Sequence, residues 1–277
     1  MPYPNLEVWK LRSFAEAERA GRELWALYGA IPSWEKASLK PGATVPGYSV
    51  TAEALVEFIL HWDADGPQWR ESLICPVTAL SSRVRAAYHA LRSEVALSSD
   101  AAIYLTENTT PFFRFMSARY RETVGSEFLV DVPNGTLRPD GVRSEDLTCL
   151  TFPSQTFDAI FCLEVLEHVP DYKSALSQMH RVLKPGGALV LTAPFTWRAR
   201  NLKRAFVDDL GCIVHIEEPE YHGDPISEDP VLCYWHFGFE LLDDLRFAGF
   251  SDAYVGAYHS ETFGYIGSVQ AVIVATK

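Results

Sequence analysis

Residues 158–192 read DAIFCLEVLEHVPDYKSALSQMHRVLKPGGALVLT, and this stretch decides the fold. Its apolar runs at 158–163 and 188–192 predict two buried strands. Between them, residues 171–183 carry the spacing of an amphipathic helix, which the turn signal KPGG at 184–187 brings to an end. A strand, a helix and a strand in this order predict parallel pairing through a right-handed crossover. The centre of the chain is therefore predicted to be an α/β sheet.

The same alternation extends upstream, whereas the end of the chain departs from it. Strands are predicted at 101–105 and 123–128, with a helix between them that begins at Pro111, where a missing N–H group costs little. Two more apolar runs lie at 253–258 and 270–276, and only 11 residues connect them. That connection is too short for a crossover helix, so these runs are predicted to pair antiparallel. The predicted fold is a Rossmann-like open sheet, mostly parallel, with a C-terminal antiparallel hairpin.

The N-terminal third of the chain has a different pattern. Residues 1–98 are predicted as a helical extension, with helices over 52–62 and 81–95. Residues 99–277 are predicted as the α/β domain, with an insert at about 196–237. The extension either packs on the main domain or forms a lid over a substrate pocket, and the two interpretations are compatible.

The composition of the 277 residues disfavours several classes of protein. Lys and Arg number 24 against 36 Asp and Glu, which gives a net charge of -12 and argues against nucleic-acid binding. The N-terminus lacks the basic flank and apolar core of an export signal, and no run reaches the ~20 apolar residues that span a membrane. Five scattered cysteines suit reduced thiols. A cytoplasmic protein without nucleic-acid or membrane partners is predicted.

Two segments resemble the centre of the class I S-adenosylmethionine-dependent methyltransferases, of the type 11 kind. The first contains FPSQTFDAI and LEVLEHVP within residues 152–170, and the second is HRVLKPGG at 180–187. The resemblance is continuous over about residues 147–195 and looser over residues 99–277. It implies an enzyme of this class, with S-adenosylmethionine as its cofactor.

The resemblance also implies cofactor-binding residues at the carboxyl ends of the strands, where an open sheet binds its ligands. Glu127, at the end of the second strand, matches the carboxylate that takes both ribose hydroxyls. Asp146 matches the acidic residue near the adenine amino group, Leu147 would cover the ring, and Glu164 would lie nearest the methionine moiety. The alternative interpretations are a surface residue for Glu127 and a turn residue for Asp146.

The loop after the first strand departs from the family pattern, which has a glycine-rich loop here. It reads LTENTTP at 105–111 and contains no glycine. In one interpretation, Glu107 holds the ammonium group of the cofactor, while hydroxyls such as that of Thr106 and the N-terminus of the next helix meet its carboxylate. In the other, the pocket has lost the cofactor.

The predicted insert concentrates histidines, tyrosines and carboxylates. It contains HIEEPEYHGDP at 215–225 and CYWH at 233–236. Because long connections in compact domains often carry function, the insert is predicted to be a substrate-binding lid. His215 and His222 are the predicted general bases, since imidazole titrates near neutral pH. The acceptor is predicted to contact Tyr221, Asp224, Trp235 and, from the core segment, His168.

Interpretations without a catalytic role for these residues stay open. His168 would then only cap the following helix, and the insert would be a folded surface loop. His215, His222, Asp224 and His236 could also supply metal ligands, but their spacing matches no tight signature, so no metal is predicted.

These features predict methyl transfer from S-adenosylmethionine to a small-molecule acceptor. The sulfonium is a good leaving group, so the enzyme mainly has to align the reacting atoms. The histidine-rich insert favours a hydroxyl oxygen of a sugar or a secondary metabolite. The alternative is a methyltransferase-like scaffold without methyl transfer activity, which serves another reaction or binds a partner.

Overall fold

The computed structural model divides the chain into two compact units. The N-terminal unit comprises Met1–Ala96 and Val255–Val272, and the α/β unit comprises Leu97–Tyr254 and Ile273–Lys277. The first division lies two residues before the predicted one at residue 98, but the tip of the C-terminal hairpin belongs to the N-terminal unit. The structure describes residues 8–29, 40, 42–63, 66–223 and 229–277.

The N-terminal unit mixes helices with short strands. Its elements, in chain order, are β1 (Val8–Leu11), α1 (Phe14–Gly29), β2 (Thr44–Ser49), β3 (Ala54–Ile59), β4 (Trp62–Asp63), β5 (Gly66–Pro67) and α2 (Ser82–Glu94). Helix α2 confirms the helix predicted over 81–95. The extension was predicted to be mainly helical, and this is wrong for the described residues, which mix helices with strands.

The helix predicted over 52–62 is a strand because of hairpin pairing. β3 pairs antiparallel with β2, and the backbone of Glu53 in the connecting turn is left-handed, with φ of 54°. A helix over 52–62 would place Leu55 and Phe58 on one face, whereas in the strand Leu55 is 82% exposed and Phe58 is fully buried. The apolar residues of this short segment fit both the helical period of about 3.6 residues and the strand period of about 2. Pairing with the neighbouring strand β2 decides in favour of the strand.

The α/β unit contains the remaining strands and helices. They are β6 (Ala102–Leu105), α3 (Pro111–Arg119), β7 (Glu122–Gly125), β8 (Phe157–Leu163), a 3₁₀ turn (Leu166–His168), α4 (Tyr172–Val182), β9 (Leu183–Thr192), β10 (Leu202–Lys203), β11 (Ala205–Val207), β12 (Ile213–His215), β13 (Tyr221–His222), β14 (Val231–Leu232), β15 (Trp235–His236), α5 (Glu240–Phe247), β16 (Asp252–Ser260) and β17 (Tyr265–Thr276). The last two strands contribute to both units.

The pairing of these strands confirms the predicted sheet. β6 runs parallel to both β7 and β8, and β8 runs parallel to β9. β17 pairs antiparallel with β9 through Ile273–Thr276, and β16 is its other neighbour. The connection between β16 and β17 is shorter than expected, because both strands extend beyond their predicted ends. In the N-terminal unit, β16 pairs antiparallel with β1.

Local sequence explains the helix that joins β8 to β9. The side chain of Asp171 caps α4 by accepting a hydrogen bond from the Ser174 amide, as the sequence predicts. The following KPGG segment forms a bulge at the start of β9. Pairing with β8 jumps there from Phe157–Leu183 to Ala159–Ala188. Gly187 is needed in the bulge, because a Cβ atom would lie 3.0 Å from the Asp158 carbonyl oxygen.

The sheet order places a crevice beside β6. β6 has β7 on one side and β8 on the other, so the strand order reverses at this point. Open α/β sheets bind ligands at such a switch point, outside the carboxyl ends of the strands. The loops that begin at Thr106, Ser126 and Glu164 therefore border the expected binding region.

None of the helices in the described part of the chain combines the length and the hydrophobicity that a membrane-spanning helix requires.

Candidate active site

The glycine-poor loop after β6 is held by Glu127, two residues beyond the end of β7. Oxygen Oε1 of this buried carboxylate accepts hydrogen bonds from the Asn108 amide at 2.6 Å, the Thr109 amide at 3.1 Å and the Thr109 hydroxyl at 3.3 Å. The Thr110 hydroxyl caps α3 by accepting from the Phe113 amide. The Thr109 hydroxyl and the Phe113 amide at the helix N-terminus thus have acceptors within the protein.

Close packing accompanies these hydrogen bonds. A Cβ atom on Gly125 would lie 2.5 Å from the Glu107 carbonyl oxygen and 2.6 Å from the Phe113 ring, so only glycine fits at the end of β7. Thr106 is buried and lies beside the Cys162 thiol. Burial raises the pKa of that thiol to about 12. The loop brings Thr106, Glu107 and Glu127 to one edge of the sheet.

Asp146 is a turn residue in the structure. Its Oδ1 accepts hydrogen bonds from the Thr148 amide at 2.8 Å and the Thr148 hydroxyl at 2.7 Å. Leu147 beside it is buried. The segment that precedes this turn continues the edge of the sheet, because Glu127 and Ser144 form a parallel bridge. Asp146 therefore comes two residues after the residue that bridges to Glu127.

Glu164 begins the loop after β8 with an unusual backbone. Its φ is 55°, in the left-handed region that residues other than glycine seldom adopt, and its amide donates to the Thr192 carbonyl at 2.8 Å. This bond ties the ends of β8 and β9 together. Such backbone conformations concentrate at functional sites, and Glu164 borders the switch point.

The insert folds into short two-stranded ladders that are anchored to the 3₁₀ turn. β10 pairs with β15, β11 with β12 and β13 with β14. The Tyr234 amide donates to the Glu167 carbonyl at 2.8 Å, and Nδ1 of His168 lies 2.8 Å from the Leu232 carbonyl oxygen. A small apolar cluster of Ala205, Leu232 and Tyr234 supports the ladders. The insert is thereby fixed at the carboxyl edge of the sheet.

One group of polar side chains gathers where the insert meets the turn. Oxygen Oε1 of the buried Glu167 lies 3.8 Å from Nε2 of His168 and 3.7 Å from Nδ1 of His222. The two imidazole rings meet edge to face, with centroids 4.9 Å apart. We call Glu167, His168 and His222 the triad.

Glu220 links the triad to the rest of the insert. Its carboxylate lies 3.0 Å from Nε2 of His222, 3.0 Å from Nε2 of His236 and 3.2 Å from the Arg204 guanidinium. Burial acts to raise the pKa of Glu220, but hydrogen bonds from the two histidines and the charges of His236 and Arg204 bring it below its ordinary value. Burial and the nearby carboxylates raise the pKa of Cys233 to about 12.

The other insert residues predicted to act in the site differ in their exposure and contacts. His215 lies on the exposed strand β12, and Tyr221 is also exposed. Trp235 packs edge to face against Tyr172 at 4.8 Å and donates from Nε1 to the Pro170 carbonyl, which makes it a support of the insert. Asp224 lies outside the described residues.

Sequence reasoning missed two residues of this site. Glu167 stands in the quoted LEVLEHVP segment, and Glu220 stands two positions before His222, a spacing that places both side chains on one face of a strand. These signals were present. What no pattern indicated was that His222 would meet Glu167, which is 55 residues away in the chain.

Comparison with known families agrees with this geometry. Residues 116–191 match the model of a family described as a methyltransferase domain. This range includes β7, β8, α4 and most of β9. This match confirms the predicted resemblance to the class I S-adenosylmethionine-dependent methyltransferases over these residues. The family is one of enzymes, and S-adenosylmethionine is its cofactor.

Curated relatives match only part of this chain. A ubiquinone biosynthesis O-methyltransferase from Coxiella burnetii is 37% identical over 82 residues, which cover 28% of this chain and 33% of the relative. A protein of the same name from Pseudomonas paraeruginosa is 53% identical over 36 residues, which cover 13% of this chain and 16% of the relative. The matched segments thus span a third or less of these relatives.

Among the solved structures that this chain is similar to, one aligns over most of its own length. It is an S-adenosylmethionine-dependent methyltransferase from Mesorhizobium loti, with a TM-score of 0.45 and 17% sequence identity. The similarity covers 69% of this chain and 98% of that one.

Proposed function

We propose that this chain transfers a methyl group from S-adenosylmethionine to a hydroxyl oxygen of a small molecule, such as a sugar or a secondary metabolite. The observation that carries the proposal is the methyltransferase core at residues 116–191, whose strands end in a row of polar residues beside the switch point. The two curated relatives are named O-methyltransferases, which supports oxygen as the accepting atom. The net charge of -12 argues against nucleic-acid acceptors.

The cofactor is proposed to bind across the carboxyl ends of β6, β7 and β8. Glu127 would hold the ribose, Asp146 and Leu147 the adenine, and Glu107 with Thr106 and Glu164 the methionine moiety. A buried carboxylate at the end of β7 suits a diol, which offers two hydroxyl donors. The ribose would compete with three hydrogen bonds that Glu127 Oε1 accepts within the protein. Binding therefore requires the loop at 106–110 to adjust.

Bound S-adenosylmethionine would supply a methyl group already activated by its sulfonium. The residues of the chain would then orient the acceptor and take its proton. Of the two predicted bases, we retain His222, because Glu220 orients its ring in the manner of a base–carboxylate pair. We do not retain His215, whose exposed strand offers no comparable support.

The acceptor and the compartment are part of the same proposal. His168 and the exposed Tyr221 lie on or beside the insert that is fixed at the sheet edge, and we propose that they contact the acceptor. Trp235 would shape this region indirectly, since it packs on Tyr172. All five cysteines are free thiols, which supports a reducing compartment such as the cytoplasm.

A second candidate function is a scaffold that has lost methyl transfer. The loop at 106–110 favours it, because the Asn108 and Thr109 amides donate to Glu127. In a binding loop, such amides would face an anionic ligand. The scaffold would keep the methyltransferase fold while serving another reaction or a partner.

Calorimetric titration of S-adenosylmethionine and S-adenosylhomocysteine tests the proposal. We expect micromolar binding to the wild type and a loss of at least about tenfold in Glu127→Ala, as for a charge-assisted hydrogen bond. Glu122→Ala, at an exposed carboxylate at the start of β7, is the matched control and should bind like the wild type. If neither ligand binds to a folded wild type, the cofactor site is refuted. Binding without turnover on a panel of hydroxyl acceptors would favour the scaffold.

A further inference from the structure

The hydrogen bonds of the triad define which nitrogen of each histidine carries a proton. Nδ1 of His168 lies 2.8 Å from the Leu232 carbonyl oxygen, which only accepts, so Nδ1 is the donor. Nε2 of His222 lies 3.0 Å from the Glu220 carboxylate and donates to it. In the neutral imidazoles, Nε2 of His168 and Nδ1 of His222 are then the lone-pair nitrogens.

These two nitrogens converge on a third electron-pair donor. They lie 3.8 Å and 3.7 Å from Oε1 of Glu167, and the three atoms all lie within 4.8 Å of one another. Such distances are longer than hydrogen bonds. Metal–ligand bonds of about 2.0–2.2 Å place the ligand atoms of a tetrahedral site roughly 3.3–3.6 Å apart, so a small inward movement would suit a cation.

We propose that Glu167, His168 and His222 bind a divalent transition-metal cation such as Zn²⁺ or Fe²⁺. Two imidazoles and one carboxylate form a ligand set that these ions prefer, with positions left open for water or a substrate oxygen. The Leu232 carbonyl and the Glu220 carboxylate orient the two rings from behind, as the partners of metal-binding histidines commonly do.

A neighbouring group of possible ligands is less suitable. Glu220, Cys233 and His236 also bring three ligand atoms within 4.8 Å of one another. The Arg204 guanidinium, however, lies 3.2 Å from the Glu220 carboxylate and already supplies positive charge there. Glu220 is therefore assigned as the residue that positions His222.

The cation would lie close to the region proposed for the acceptor. Glu167 follows Glu164 by three positions on the loop after β8, at the carboxyl edge of the sheet. A role in holding the acceptor oxygen rests on the proposed methyl transfer, whereas cation binding does not. Because a metal-bound Nδ1 cannot accept a proton, His222 can serve as the base proposed above only in a chain that has no cation bound.

Metal titration of the full chain tests the proposal without cofactor or acceptor. Protein dialysed against EDTA is titrated with Zn²⁺ in competition with a chromophoric chelator, and with Co²⁺ as a spectroscopic probe. We expect one ion per chain with a Kd below about 1 µM. We also expect visible Co²⁺ absorption without a thiolate charge-transfer band. His222→Ala and His222→Gln should weaken binding at least about tenfold, and Glu220→Gln about 10–100-fold.

His215→Ala is the matched control, since it removes an exposed histidine from the same insert and should bind the ions like the wild type. Circular dichroism checks that each variant is folded, and thermal melting should show stabilisation by Zn²⁺ in the wild type but not in folded His222→Gln. The proposal is overturned if the wild type does not bind, if His222→Gln binds equally well, or if a thiolate band shows that Cys233 is a ligand. None of these outcomes bears on cofactor binding, which the Glu127 titration measures separately.

Discussion

The loop after β6 and the triad both place polar groups at the carboxyl edge of the sheet, but they use them differently. In the loop, the Asn108 and Thr109 amides and the Thr109 hydroxyl all donate to Glu127. In the triad, two histidines donate outward to Leu232 and Glu220 and turn their other nitrogens toward Glu167. Polar groups that donate to one carboxylate hold the loop in place, whereas donor atoms of several side chains that converge on one point suit the binding of a ligand.

A histidine in the N-terminal unit sharpens this contrast, because its role is structural. The ring of His89 packs edge to face on Phe263 with centroids 4.6 Å apart. Burial, followed by the charges of Arg92 and Arg85, lowers the pKa of His89 to about 4. The unfolded chain binds a proton near pH 6.5, so stability is fully present above that pH and is lost as the pH falls toward 4.

We therefore expect the free energy of unfolding to fall by about 2–3 kcal/mol between pH 7.5 and pH 4.5 through His89 alone. Urea unfolding at the two pH values measures this loss, which should be absent in His89→Gln. The exposed His215, replaced by Gln, is the control and should show the wild-type loss. An equal loss in His89→Gln would show that protonation of His89 is not responsible.

The second prediction concerns the packing of the loop after β6. Gly125→Ala should lower the free energy of unfolding by about 2 kcal/mol, because its Cβ would collide with the Glu107 carbonyl and the Phe113 ring. Urea unfolding measures the change. Gly223→Ala is the control, since no atom of the described residues lies within 4 Å of the added atom there. A neutral effect at Gly125 would mean that the loop is not packed against β7.

The smallest effect is expected for the charge of Glu127. Glu127→Gln keeps an acceptor oxygen but removes the negative charge that strengthens the loop hydrogen bonds, and we expect a loss of about 1 kcal/mol in the free energy of unfolding. Glu122→Gln, at an exposed carboxylate at the start of β7, should change stability by less than about 0.5 kcal/mol. Equal losses of stability in Glu127→Gln and Glu122→Gln would show that the charge of Glu127 does not hold the loop in place.

The sequence predicts the sheet well because the signals there are local. The apolar run of β8, the cap at Asp171 and the Lys-Pro-Gly-Gly turn each act within a few residues, and all of them favour the same fold. The segment at 52–62 lacked such agreement. Its apolar residues suit a helix and a strand alike, and pairing with β2 made the strand.

Some features of the candidate site could likewise be predicted from local sequence, whereas others depend on contacts between distant segments. The sequence by itself predicted the resemblance to methyltransferases and placed Glu127 and Glu164 at the carboxyl edge, because residues that follow parallel strands share one edge of a sheet. Only the tertiary structure decided that Glu127 holds the loop and that His222 meets Glu167. The second contact depends on the Tyr234 amide bonding to the Glu167 carbonyl, which docks the insert on the 3₁₀ turn. Contacts between residues so far apart in the chain arise from the fold and leave no periodic pattern in the sequence.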